Sequence, residues 1–419
     1  MLDETRRDYF NSPVPLDKRR SLIAVALVLI GAPICVAALF GGAALAKGQT
    51  FQQGVFSVAL GGAILSVIAG LIGTIGVRTG LSTSLLVQRT FGLHGGGFVS
   101  IVLALTLVGW YGVQVGFFGK TMQALWPGGG IFTSETVASY WGGILMFSTA
   151  YFGFRGLSIL SNIAVPLVAA LCIWGVARVA GQVDILAYTP PEHMSLAEGT
   201  TLVVGAFAVG AVVLPDITRY AKGVWQTWVI TVLGFLIAEA FVQLSGMVTS
   251  MATGSADLIG AMIALGMSVP ALLVLILGQW TTNDNNMYSA SLAISGALPK
   301  LRKDIVVLVC GLVATICGAH GLADGLIPFL LWLGVLIPPI GGVLIADHLV
   351  MGGKCTLGLP TESVRWTSLI SWAIGALVGG FVAAGIPAIN ATGSAFLACL
   401  VLARLTRKAH ADKPSGGHD

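Results

Sequence analysis

Apolar stretches of about twenty residues recur along this chain, and no loop between them is long enough to fold by itself. A helix needs roughly twenty apolar residues to cross the hydrocarbon core of a bilayer. Such runs stand near 22–46, 55–77, 97–119, 136–154, 157–181 and 198–218. Six more follow near 226–250, 268–297, 305–322, 325–349, 366–386 and 389–405. Only 10% of residues are charged and 56% are hydrophobic, whereas soluble domains carry about 25% charged residues. These runs predict an all-α polytopic membrane protein of twelve transmembrane helices. The 56 glycines fit the same solvent, because small residues let helices approach closely in lipid.

The basic residues support an even number of spans. Placing the N-terminus in the cytoplasm puts Arg6, Arg7, Lys18, Arg19, Arg20, Arg78, Arg89, Arg155, Arg219 and Lys222 inside. Lys300, Arg302, Lys303, Lys354, Arg365, Arg404, Arg407, Lys408 and Lys413 fall on that side too. Lys47, Lys120 and Arg178 alone fall outside, a split of 19 to 3. Lys and Arg favour the cytoplasmic loops of membrane proteins, so both termini are expected inside. The segment Ser82 to His94 is too short and polar to cross, and is expected to be an interfacial or cytoplasmic helix. The expected organisation is a tail at 1–21, five spans over 22–182, five over 196–350, two over 366–406, and a tail at 407–419.

Several function classes are disfavoured. The net charge of +4 is dispersed, with no clustered basic face for nucleic acid. Cys35, Cys172, Cys310, Cys317, Cys355 and Cys399 form no CxxC pair and read as packing thiols. The six histidines make no HxxxH or HExxH pattern, and no nucleophile–base pair stands out for an enzyme. The polar stretch Met1 to Arg20 is too hydrophilic for a signal peptide.

Irregular backbone at membrane depth survives only where protein or a water-filled cavity satisfies it, so interrupted spans point to transport sites. Span one reads LIGAPICVAALFGG, and Pro33 should free carbonyls near residues 29–31. Span six reads LVVGAFAVGAVVLPDITRY, with a break expected at Gly205–Gly210 and Pro215 beyond it. Breaks in spans one and six, the openers of two five-span halves, fit an inverted repeat. A plain kink is the alternative for either span alone.

Span eight holds the densest polar stretch, Gln279 to Asn286. It is read as a polar helix, with a loop as the alternative. Thr281 and Thr282 offer hydroxyl oxygens suited to a hard monovalent cation, and Asn283 offers a donor and an acceptor to a heterocycle's edge. Trp110 lies at mid-depth in span three and Phe207 within the expected break of span six. Two aromatic faces hold a planar ring well, and Gln114, a turn beyond Trp110, could reach the same ligand. Glu239 is the clearest intramembrane acid, and such acids are functional candidates. Asp216 and Asp347 are expected to pair structurally with Arg219 and His348. Asp284 is either a site residue or solvent-facing.

With PVP at 13–15, VGWYGV at 108–113, PDITRYA at 215–221, WTTNDN at 280–285 and IPPIGGVLIAD at 337–347, the chain resembles the nucleobase–cation symporters across nearly its whole length, particularly their cytosine permease branch. The resemblance implies a five-plus-five inverted-repeat (LeuT-like) fold with two extra C-terminal helices. It also implies sodium-coupled import of a nucleobase, most directly cytosine, through an inner membrane by a monomer without an organic cofactor. Carried over, the sodium ligands are the carbonyls of Gly31, Ile34 and Gly278 with the hydroxyls of Thr281 and Thr282. The base stacks between Trp110 and Phe207 beside Gly205 and Ala206, with Asn283 reading its polar edge. The chain departs from the cytosine branch at Ala206 and Val209, where that branch carries serines, and Gln114 is similar to the hydantoin-transporting relatives. Proton coupling through Glu239 or Asp284, with another planar heterocycle as substrate, is the alternative.

Overall fold

Pro33 splits the first apolar run into two helices, because proline cannot donate the hydrogen bond that would carry the helix onward. In the computed structural model, α1 (Leu22–Gly31) ends at that proline and α2 (Val36–Gly48) restarts beyond it. The structure describes residues 9, 11–34, 36–179, 181, 184–254, 263, 266–325, 329, 332–333, 335–352, 362–382 and 384–411. Arg6, Arg7, Lys354, Lys413, Cys35 and Cys355 lie outside them, as do residues 412–419 of the expected C-terminal tail.

Among the described residues every regular element is helical. The capping box of Thr50 and Gln53 starts α3 (Phe51–Thr79), and Gly80, at φ 70°, ends it. The short segment that follows is a separate helix, α4 (Thr83–Phe91), capped by Ser82 as its polarity predicts. Beyond it run α5 (Leu93–Leu125), α6 (Glu135–Phe147) and α7 (Phe154–Val179). The second half opens with α8 (Leu196–Val212), capped by Ser195 and Glu198, and the one-turn α9 (Pro215–Thr218). Then come α10 (Val224–Thr253), α11 (Ser268–Ala297), α12 (Lys303–Ala319) and α13 (Pro338–Val350). Two last helices, α14 (Trp366–Phe381) and α15 (Pro387–Ala411), complete the chain.

Five described helices are both long and apolar enough to cross a membrane by themselves: α3, α5, α7, α10 and residues Pro387–Thr406 of α15. Although α11 is 30 residues long, its polar middle dilutes its apolarity, yet it continues through that middle without a break. The loop alternative for Gln279–Asn286 therefore falls away.

The helices sort into two groups that frame the site. α2 packs on α10, and α3 on α8 and α10. α5 packs on α11, α6 and α12. Between the groups, α7 touches α1, α10 and α11. The α2–α10 crossing needs glycine: a Cβ on Gly42 would overlap the Gln243 backbone, and one on Gly246 would overlap that of Leu39.

The basic residues expected to share one side are tied together at one end of the bundle. Arg19 donates to the carbonyls of Val77 at 2.8 Å and Ala221 at 3.2 Å. Arg219, wholly buried, donates to the Tyr288 hydroxyl at 2.9 Å and to the Tyr9 carbonyl at 3.1 Å. At the opposite end, Lys120 pairs with Asp324 and the Lys47 carbonyl accepts from Glu192.

Candidate functional site

Two features meet at the middle of the bundle: an oxygen cluster at the break in span one, and a cavity beside it. At the break, the Ala32 amide turns back to the Leu29 carbonyl at 3.1 Å, and Pro33 donates nothing. The freed Ala32 carbonyl accepts from the Thr282 hydroxyl at 2.8 Å. The same hydroxyl lies 3.1 Å from the Gly278 carbonyl, which also stands 3.0 Å from the Thr281 hydroxyl. Gly31 lets the helices converge here: a Cβ on it would stand 3.3 Å from Ser161 Oγ and 3.4 Å from Thr281 Cβ.

Gly31, Gly278, Thr281 and Thr282 are thus brought together as expected. Ile34 is buried and belongs to the same apolar cluster as Leu39, Val165 and Val242. Ala32 was missed, because a backbone carbonyl leaves no mark in side-chain chemistry. Neutral carbonyl and hydroxyl oxygens without a carboxylate suit a hard cation of single charge better than a transition metal.

The cavity has a volume of about 70 Å³. Three helices each turn one face to it. α5 contributes Leu107, Trp110 and Gln114, at helical spacing. α8 contributes Ala206, Phe207 and Gly210, whose small members leave the space. α11 contributes Thr282, Asn285, Asn286 and Ser289, while Leu29 and Ala32 close it from α1. Trp110 is steadied by an edge-on contact with Phe329, with centroids 5.7 Å apart. Gln114 is fully buried, and neither its amide nitrogen nor its oxygen has a protein partner. Its backbone carbonyl accepts from Gln279 at 2.9 Å, which fixes α5 against α11. An aromatic-walled cavity with one free amide can bind a flat polar ring.

The structure places three expected features differently. Span six is not broken at Gly205–Gly210, since α8 runs unbroken to Val212 and the interruption falls at 213–214, just before Pro215. Glycine permits a break but does not impose one, whereas proline lacks the donor. Gly205 is absent from the cavity wall, and a Cβ there would meet nothing within 4 Å. Asn283 also lies off that wall. Its amide points to the Tyr111 carbonyl at 3.4 Å and the Met146 sulfur at 3.1 Å, because the helical register gives the cavity residues 282, 285, 286 and 289 instead. That polar face has i, i+3, i+4, i+7 spacing, a signal the sequence did contain.

The acids resolve separately. Asp216 accepts from the Thr83 amide at 2.8 Å at the start of α4, and Asp347 accepts from Arg365 at 2.7 Å. His348 stands 4.0 Å from Asp347, so Arg365 is its main partner. Asp284 is buried and outside the cavity wall, and is not solvent-facing.

Residues 13–401 match the family described as permease for cytosine/purines, uracil, thiamine and allantoin. The chain belongs to this permease family. It is 30% identical to the cytosine permease of Escherichia coli (strain K12) over 401 residues, 94% of each chain. It is 24% identical to the allantoin permease of Bacillus subtilis (strain 168), covering 69% of this chain and 66% of that one. Among solved structures, the fold is shared with Mhp1, a nucleobase-cation-symport-1 family transporter, in a closed conformation with bromovinylhydantoin bound. That likeness has a TM-score of 0.85 at 17% identity over 95% of both chains. A Na+-coupled sialic acid symporter shares the fold at a TM-score of 0.70, with 13% identity over 95% of this chain and 92% of that one. The permease is therefore a multi-pass membrane transporter of the five-plus-five inverted-repeat, LeuT-like fold.

Proposed function

We propose that the permease imports a nucleobase, cytosine most directly, by sodium symport with alternating access. The observation that carries this reading is the Thr282 side chain, which lines the cavity while its hydroxyl engages the broken end of span one. The base binds between Trp110 and Phe207, and the free Gln114 amide reads its donor–acceptor edge. Such stacking contributes about 0.5–1.5 kcal/mol beyond area burial. Ala206 forms wall and not polar contact. Asn285 and Asn286, which line the cavity, add polar contacts from α11. Sodium binds among the Ala32 and Gly278 carbonyls and the Thr281 and Thr282 hydroxyls, beside Gly31. The Ile34 carbonyl joins these ligands when span one rearranges. Bound there, the ion pins α1 to α11, and its differential affinity for one conformation drives the switch.

The 19 to 3 distribution of basic residues supports an inner-membrane orientation with both termini cytoplasmic. The site lies within one chain, in keeping with a functional monomer.

A second reading concerns the substrate. Ala206 and Val209 both line the cavity without a hydroxyl, so polar recognition falls to Gln114 and the α11 amides. That wall suits hydantoin, allantoin or another base as well as it suits cytosine.

Uptake of radiolabelled cytosine into proteoliposomes, with and without an inward sodium gradient, tests both readings. Unlabelled uracil, adenine, hydantoin and allantoin serve as competitors. Sodium-driven uptake blocked by cytosine alone is the expected result. Transport of another ring in its place would move the assignment to the second reading, and uptake indifferent to sodium would remove the coupling.

A further inference from the structure

The sodium-coupled reading leaves two buried acids unused, Asp284 and Glu239, and of these Glu239 is held by a neighbouring side-chain amide. Glu239, in α10, is buried, and among the described residues no ion pair reaches it. Its Oε1 accepts from Gln243 Nε2 at 3.0 Å, one turn along the helix. Two atoms of this pair are left over, Glu239 Oε2 and Gln243 Oε1, both buried and without a partner. With Glu239 ionised both are acceptors, and among the described residues no donor serves either.

A carboxylic acid and a primary amide pair differently. The amide N–H donates to one acid oxygen while the acid O–H donates to the amide oxygen. One proton on Oε2 turns it into a donor and offers the Gln243 oxygen the partner it lacks. A bare carboxylate in this apolar setting would cost several kcal/mol.

The pair sits at a consequential depth. Gly234 of α10 packs on Leu29, and the Gln243 backbone packs on Gly42. Counting along the two helices places Glu239 level with Ile34 and Ala38, where α1 gives way to α2. Among the described residues, the other titratable groups on the neighbouring elements lie away from this level or are thiols. Lys47 is in the last turn of α2, Arg78 in the last turn of α3, and Arg155 and Arg178 at the two ends of α7. Asp184 caps a short turn near the outer end of α10, and Cys172 shares the apolar cluster with Val242.

We propose that Glu239 is a proton-binding site, occupied as the neutral acid in this conformation and emptied when α10 and α2 part to admit water. A hydronium ion gives its proton to Oε2 and leaves as water, and release is the reverse. The permease's conformational balance is thereby linked to pH independently of sodium.

Two measurements test this on the full-length protein in lipid. In infrared difference spectra of wild type against Glu239→Gln, a carboxylic-acid carbonyl band belonging to Glu239 is expected. The band should move to higher frequency in Gln243→Met, which keeps the acid and removes its amide. Uptake at a fixed sodium gradient should decline with rising pH, approaching about tenfold per unit once the site titrates. In Glu239→Gln, whose amide supplies a permanent N–H, that dependence should vanish. Absence of the band from wild type overturns the proposal, as does an identical pH profile in a folded Glu239→Gln. The infrared result needs neither substrate nor sodium, so its failure is separable from failure of sodium coupling.

Discussion

The Thr282 hydroxyl donates to the Ala32 carbonyl across 2.8 Å, tying the polar face of α11 to the broken end of α1. Because Thr282 also faces the cavity, one residue borders both proposed sites. Thr282→Ala removes this hydroxyl and is expected to raise the sodium concentration for half-maximal uptake about tenfold, or ~1.4 kcal/mol. The order of preference among competing bases should stay the same. Sodium titration of uptake, repeated with the competitor panel, measures both, and unchanged sodium activation would remove Thr282 from the cation site.

Gln114 carries the sharpest claim about base recognition. Its amide is buried beside the cavity with no protein partner, so a bound base can take both its donor and its acceptor. Gln114→Leu should raise KM for the base about 5- to 150-fold, the equivalent of ~1–3 kcal/mol for hydrogen bonds left unmade. Protein yield should hold, since the fold loses no internal bond to that amide. A KM within twofold of wild type would refute the assignment.

The α2–α10 crossing predicts a folding defect and not a kinetic one. A side chain at Gly246 would occupy the space of the Leu39 backbone. Gly246→Leu should therefore lose the monodisperse peak in detergent, whereas Gly205→Leu, with nothing within 4 Å of its Cβ, should keep it. Equal behaviour of the two variants would contradict the packing account.

Arg219 is held by groups from distant parts of the chain. Its donation to the Tyr288 hydroxyl at 2.9 Å joins α11 to the turn after α9. Tyr288→Phe should lower thermal stability by about 1.5–3 kcal/mol, the usual range for a hydrogen bond to a charged group. Base affinity should be unaffected, because Tyr288 lies off the cavity wall. Melting curves in detergent, paired with binding measurements, separate the two effects.

Much of this architecture is legible in the sequence because lipid imposes a strong rule: length and apolarity mark the spans, and proline marks the break at residue 33. The helix at Thr83–Phe91 is also readable, since Ser82 caps a segment too polar to cross. What escapes is rotation. Four consecutive polar residues, Thr282 to Asn285, cannot all face one cavity, and although the 282, 285, 286, 289 spacing marks one face, nothing in the sequence says that this face turns to the cavity while Asn283 turns to Tyr111 and Met146. Backbone chemistry escapes as well, as the Ala32 carbonyl illustrates. Glycines at 205 and 210 look like a break in sequence but serve different local surroundings in a continuous helix.

The most direct test of adjoining base and cation sites is binding of labelled cytosine to the purified permease, titrated in sodium and in potassium. Linkage requires that if sodium tightens cytosine binding by some factor, cytosine tightens sodium binding by the same factor. The account predicts tighter cytosine binding in sodium than in potassium, a reciprocal effect on sodium affinity, and loss of both in Thr282→Ala. Cytosine binding that is equally strong in both salts would contradict it.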